Sequence, residues 1–283
     1  MDALTDLLLR LRNPVAFLVL FAVLFVLGKW LNDLVTSHAI DRELTERDNP
    51  ALAISTAGYY LGIIIIFLGA LIGPSTSLLW DLLIVGGYGL GGIGLLLLSR
   101  VLNDRLILRS FSAQRELIED RNPGAGAVLF GSYVASALIV AGSIQGEGGG
   151  PHTALVFYAL GQVALIAFTW LYDWLAPYSL LDQIEKDNAA AGIGLGGALI
   201  AIGIIVMRAV SGDFVGWAED LRYLGGNVLL VFVYLAGVRF FFDRVIIPRS
   251  DLNVEITRDR NVGAGLLEGA VSIGFAAVLF FLL

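Results

Sequence analysis

The sequence predicts an all-α integral membrane protein, with eight transmembrane helices as four parallel-oriented two-helix repeats. Three observations carry this. The composition is 57% apolar and only 15% charged, against about 45–50% and about 25% in a soluble domain. Apolar runs at roughly 14–35, 50–72, 78–100, 123–144, 152–174, 188–210, 222–242 and 261–283 each approach the ~20 residues a helix needs to cross hydrocarbon. One polar-to-apolar junction occurs four times: ERDNPALAIS around Asn49, EDRNPGAGAV around Asn122, EKDNAAAGIG around Asn188 and TRDRNVGAGL around Asn261, at spacings of 73, 66 and 73 residues. Recurrence at a near-fixed period marks a repeat architecture.

The runs are expected to be helices because lipid leaves no partner for an open backbone group. Barrel strands would alternate apolar and polar residues, and LGIIIIFLGALIG and GGIGLLLLS do not. Each repeat reads as a first helix, a charged linker, a second helix and a short turn. Basic residues orient the chain. Arg10, Arg12, Arg208 and Arg222 fall on the turn side, and the other fourteen of the 18 Lys and Arg fall on the linker side. Positive charge stays cytoplasmic, so the linkers are expected in the cytoplasm and both termini outside. The first run is too long for a signal-peptide core, and no cleavage is expected. The turns GPSTS, QGEGGGPH and SGDFVGWAED suit tight connections. The glycine-rich turn near 145–151 divides the chain into four-helix units, 1–145 and 146–283.

Within each repeat the first helix ends on a charged pair. Lys29 and Asp33, Arg100 and Asp104, and Arg239 and Asp243 are four residues apart; the third copy keeps Asp173 but has Thr169 in place of the base. Such pairs meet on a helix and suit an interface where basic side chains snorkel. An acidic residue stands six before each Asn (Glu43, Glu116, Asp182, Glu255). Asn49, Asn122, Asn188 and Asn261 are read as N-caps of the second helices. Pro50 and Pro123 suit the first helical position, and Asp48, Asp120, Asp187 and Asp259 suit its positive end. Gly58 and Gly62, Gly87 and Gly91, Gly192 and Gly196, and Gly265 and Gly269 are small-xxx-small spacings that let membrane helices approach closely.

These residues resemble the bacterial membrane family catalogued as domain of unknown function 350 (DUF350), the YjfL-like proteins. DNPALAISTAG and DNAAAGIGLGG resemble its N-x-A-A-x-x-x-x-x-G signature, and GVRFFFDRVIIP resembles the basic end of its preceding helix. Members commonly have four spans, so the chain resembles a tandem duplication of one. The resemblance implies the bacterial inner (plasma) membrane, a loose link to envelope stress and a phage-shock-protein-A-like cytoplasmic partner. It implies no catalytic residues.

Little reactive chemistry is visible. The chain has no cysteine and two histidines, His38 and His152, expected on opposite sides of the membrane. GYGLGG and GIGLGG match a dinucleotide fingerprint by letters but lie inside apolar runs, without the strand that motif requires. Glu268 is the most pointed residue. A carboxyl in a span suggests an ion, proton or substrate path, or a protonated group bonded to a neighbouring helix. Gln162 and Asn227, with Tyr59, Tyr60 and Tyr133, are candidates for the same polar seam. The expected function is non-enzymatic, structural or interaction-based; the alternative is an ion or small-solute channel or transporter with an intramembrane carboxylate. No cofactor or metal is expected. The expected partners are membrane lipids and further copies of the chain; the net charge of −7 argues against nucleic acid.

Overall fold

The computed structural model describes residues 3–36, 38–241, 245–246 and 251–283; the side chains of 3–10, 228–229, 232, 235–236 and 238–240 lie outside that description. The described chain is all-α. Four long–short–long segments follow one another: α1 (Ala3–Val35), α2 (Ile40–Thr45) and α3 (Pro50–Leu71); α4 (Leu78–Leu106), α5 (Ala113–Ile118) and α6 (Pro123–Ile144); α7 (Pro151–Leu175), α8 (Leu180–Glu185) and α9 (Ala189–Val210); α10 (Trp217–Phe241), α11 (Leu252–Thr257) and α12 (Val262–Leu282). Among the described residues, seven helices are long and apolar enough to cross a membrane. Of the 222–242 run, residues 222–241 lie in α10, which is not one of the seven, and residue 242 lies outside the described residues.

Each second helix starts the same way. The Asn49, Asn122, Asn188 and Asn261 side chains accept from Leu52 N, from Gly124 and Ala125 N, from Ala191 N and from Ala264 N. Their own N–H groups return to Glu43, Glu116, Gln183 and Glu255 carbonyls in the short helices. The residue before each Asn is left-handed although none is glycine: Asp48, Arg121, Asp187 and Arg260 have φ of 46, 52, 59 and 49°. That conformation costs an L-residue about 1–2 kcal/mol, and it turns the chain from the short helix into the long one.

The second helices α3, α6, α9 and α12 form a tightly packed parallel row, α3 on α6, α6 on α9 and α9 on α12. Glycine makes this possible. A Cβ at Gly58 would fall 2.5 Å from Phe130 Cα, one at Gly126 2.5 Å from Ala51 O, one at Gly131 2.6 Å from Gly196 Cα and one at Gly203 2.6 Å from Ala135 Cα. Gly197 meets Gly269, and Gly265 meets Ala190, in the same backbone-to-backbone manner. Gly87 and Gly91 behave differently: a Cβ on either would meet nothing within 4 Å, so that stripe is not used inside the chain. The first helices lie along the row, α4 touching α3 and α6, α7 touching α6 and α9, and α10 touching α9 and α12.

The Asn side chains also tie neighbouring segments together. Asn49, Asn122 and Asn188 donate Nδ2 to the carbonyls of Leu117 (2.8 Å), Ile184 (2.6 Å) and Ile256 (2.8 Å), each the fifth residue of the next short helix.

Two outcomes follow. Gly58→Ala forces α3 and α6 apart and costs about 1–3 kcal/mol, as overpacking does, whereas Gly91→Ala leaves stability at or above its starting value; thermal melts in detergent compare them. Asn122→Ala loses a cap worth about 1 kcal/mol and with it the interhelical bond to the Ile184 carbonyl, about 0.5–1.5 kcal/mol more. Asn261→Ala, with no such interhelical bond, costs about 1 kcal/mol, and the same melts rank the two.

Candidate functional site

The crevice where the first segment meets the second holds a polar cavity of about 110 Å³ at the linker end, room for several waters or one small polar solute. Helix α4 supplies Arg100 and Asp104, α1 supplies Asn32, the α1–α2 connection supplies Thr36 and His38, and α3 and α6 supply Ser55, Thr56, Tyr59 and Tyr133. Arg100 Nη1 donates to Asn32 Oδ1 and Thr36 Oγ1, both at 3.2 Å. Its Nε lies 3.9 Å from Asp104 Oδ2. Tyr59 OH donates to the Gly28 carbonyl at 2.8 Å. Both ring nitrogens of His38 and Oδ1 of Asp104 are buried without a hydrogen-bond partner among the described residues. Burial, then the Arg100 charge, pushes the His38 pKa below its ordinary value, with Glu43 opposing. The cavity therefore offers a guanidinium, a neutral imidazole and a carboxylate oxygen together.

The next crevice is nearly closed. Relative to Lys29 and Arg100, Thr36 and His38 correspond to Ile107 and Arg109, and Arg100 corresponds to Thr169. The space left there is about 10 Å³. Arg109 crosses it to Asp173 at 3.8 Å and lies 5.4 Å from the Trp170 ring centroid, and Trp170 Nε1 donates to the Leu106 carbonyl at 2.7 Å. Asp173 thus gains from the preceding linker the base its own helix lacks.

The other residues singled out above are dispersed. Lys29 and Asp33 pair at 2.9 Å near the surface, with Asp41 at 3.5 Å. Arg239 and Asp243 lie outside the described side chains. Gln162 belongs to a network between α4, α6 and α7: its Nε2 donates to Asn103 Oδ1 at 2.5 Å, Asn103 Nδ2 donates to Ser132 and Ser136 at 2.7 and 3.0 Å, and Ser99 bonds Gln162 and Tyr158. Glu268 accepts from Tyr172 OH at 2.8 Å and lies against Gly194, packed in protein. Asn227 is buried, and its Nδ2 has no partner among the described residues. Gln162 and Glu268 thus sit with different partners rather than in one seam. The sequence reading missed His38, Asn103 and Tyr172 as site residues. Asn103 follows Arg100 by three, as Asn32 follows Lys29, and that recurrence was the available signal.

A second, open cavity of about 620 Å³ lies among the turns at the far end, lined by Asn13, Tyr88, Phe157 and Tyr223 with Asp81, Asp213 and Asp220. From Tyr59 to Ala70, about 16 Å of helix at 1.5 Å per residue, buried Ile63, Ile66, Ile93, Leu96 and Val140 pack between the two cavities.

Long apolar helices, glycine-mediated packing and charged linker ends define a polytopic α-helical membrane protein. The chain belongs to the family described as Domain of Unknown Function (DUF350), which matches residues 4–144 and again 148–283, a tandem pair. It is 25% identical over 272 residues to a UPF0719 transmembrane protein of Aquifex aeolicus (strain VF5), covering 92% of this chain and 96% of that protein. It is 23% identical over 128 residues to UPF0719 transmembrane protein YshE of Bacillus subtilis (strain 168), covering 44% of this chain and 87% of that one. No solved structure matches the chain.

His38 generates a pH dependence. Its folded pKa lies below the ordinary 6.5, so the unfolded chain takes the proton first, and stability falls as pH drops from about 6.5 through the folded value. Melts of His38→Asn in detergent between pH 7.5 and 5 are expected to have a shallower acid limb than the parent.

Proposed function

We propose that the chain is a non-enzymatic inner-membrane protein with eight spans, four two-helix repeats oriented alike, whose role is structural or interaction-based. The observation that carries this reading is the in-register backbone contact made three times along α3, α6, α9 and α12. What recurs from segment to segment is a packing surface and a capped helix start, and no nucleophile–base pair recurs with it. Units 1–145 and 146–283 then form one continuous row, with the charged linkers on the cytoplasmic side and both termini outside. That face, with Arg42, Arg115 and Arg258 among exposed acids, suits a phage-shock-protein-A-like partner and a part in envelope stress.

The cavity with Arg100, His38 and Asp104 favours a second reading, an ion or small-solute channel or transporter. Its intramembrane carboxylate would be Asp104 or Glu268. The packed stretch from Tyr59 to Ala70 separates this cavity from the turn side, which favours the first reading.

Two measurements test the proposal. Purified protein in liposomes should pass monovalent ions and small amino acids at the rate of empty vesicles, and Glu268→Gln should change nothing; a substantial flux removed by Asp104→Asn would install the second reading. Single cysteines at Thr45, Gln114, Gln183 and Asn253, in a chain with none of its own, should react only with reagents reaching the cytoplasmic side. Labelling from alternate sides would sink the parallel arrangement.

A further inference from the structure

The row of second helices ends on two surfaces that match. Each junction joins different faces of its two helices. Positions two, nine, thirteen and twenty after the Asn face forward: Ala51, Gly58, Gly62 and Gly69 in α3, and Gly124, Gly131, Ala135 and Gly142 in α6. Positions four, eight and fifteen face backward: Gly126, Phe130 and Ala137 in α6, and Gly192, Gly196 and Gly203 in α9. The forward positions of α12 are Gly263, Ala270, Gly274 and Phe281, and all four are exposed. A Cβ at Gly274 would meet nothing within 4 Å. The backward positions of α3 are Ala53, Ala57 and Ile64; Ala53 and Ala57 are exposed and Ile64 half-buried. The polar tie is open as well. Asn261 Nδ2 bonds Glu255 of its own segment at 2.8 Å, as Asn122 bonds Glu116, but among the described residues it has no carbonyl partner like the one Asn122 finds on Ile184.

We propose that the forward face of α12 docks on the backward face of α3 in a second copy of this chain, continuing the row between molecules. This rests on the structural reading above and names its partner. The pairing copies the inner junctions: Gly263 on Ala53, Ala270 on Ala57 and Gly274 on Ile64, with the Asn261 amide reaching the carbonyl of Leu44, the fifth residue of α2. The two faces differ, so the contact is heterologous and gives a closed ring or an open filament rather than a two-fold dimer. Each inner junction has at least one glycine at the crossing (Gly58 on Phe130, Gly131 on Gly196, Gly197 on Gly269). Ala270 on Ala57 has none, so copies stand about a methyl group further apart and associate reversibly.

The experiment uses the cysteine-free chain in native membranes, with Ala57→Cys and Ala270→Cys introduced together and oxidised by copper phenanthroline. The expected result on a non-reducing gel is a ladder at multiples of the monomer mass, with neither single variant giving more than monomer. Adding Gly274→Trp should reduce the ladder at least tenfold, while Gly91→Trp in α4 should not, and unchanged melts of both show that the fold survives. Dimers from either single variant would make the contact two-fold and overturn the proposal. So would an absent ladder, or a disulfide confined within one copy. Liposome flux is read separately, so a missing ladder leaves the proposed function standing, and a flux leaves the ladder to be judged alone.

Discussion

The structure depends on helix backbones touching where no Cβ stands between them. In lipid, apolar side chains gain little by meeting each other, so association rests on dispersion at close range and on interhelical hydrogen bonds. Gly58, Gly131 and Gly197 provide that range along the row, each opposite the backbone of the next helix. A single added methyl at the crossings would separate helices over their whole length. This explains why α6 and α9 are buried on nearly all sides, while α1, which lies beside the row, leaves Leu18, Val26 and Trp30 exposed.

A second constraint acts at the linker end. Every second helix must begin close to its neighbour, and its first N–H groups need partners there. One Asn meets both needs: its oxygen caps its own helix, and its amide reaches the short helix of the next segment. The left-handed residue before it sets the angle of entry. Glu116 is buried beside this arrangement, and burial raises its pKa while the bond from Asn122 lowers it. The linkers are thus part of the packing, with Glu43, Leu117 and Ile184 buried.

Against that regular frame, local differences make the site. The same crevice lies between successive segments. Thr36, His38 and Arg100 leave one copy open and polar, while Ile107, Arg109 and Trp170 fill the next. Polar groups deeper in the spans are handled otherwise. Ser99, Asn103, Ser132, Ser136 and Gln162 bond to one another, and Tyr172 bonds Glu268. These groups tie helices together.

Much of this was legible in the sequence. The four Asn junctions marked where long helices start, and the apolar runs marked most of where they lie, because lipid permits only helix there and a cap is a local, short-range pattern. Glycine spacing was a weaker guide. Gly192 and Gly196 meet a backbone, while Gly87 and Gly91, spaced identically, meet nothing, since spacing names a face of a helix and not what stands opposite. His38, Arg100 and Asp104 come from places far apart in the chain, and Glu268 could be assigned to Tyr172 only once α7 and α12 were brought together. Helical character and helix starts follow from neighbours along the chain, which the sequence contains. Which side chains share a cavity, and which glycines bear a contact, follow from how the helices cross, and only the folded protein decides that.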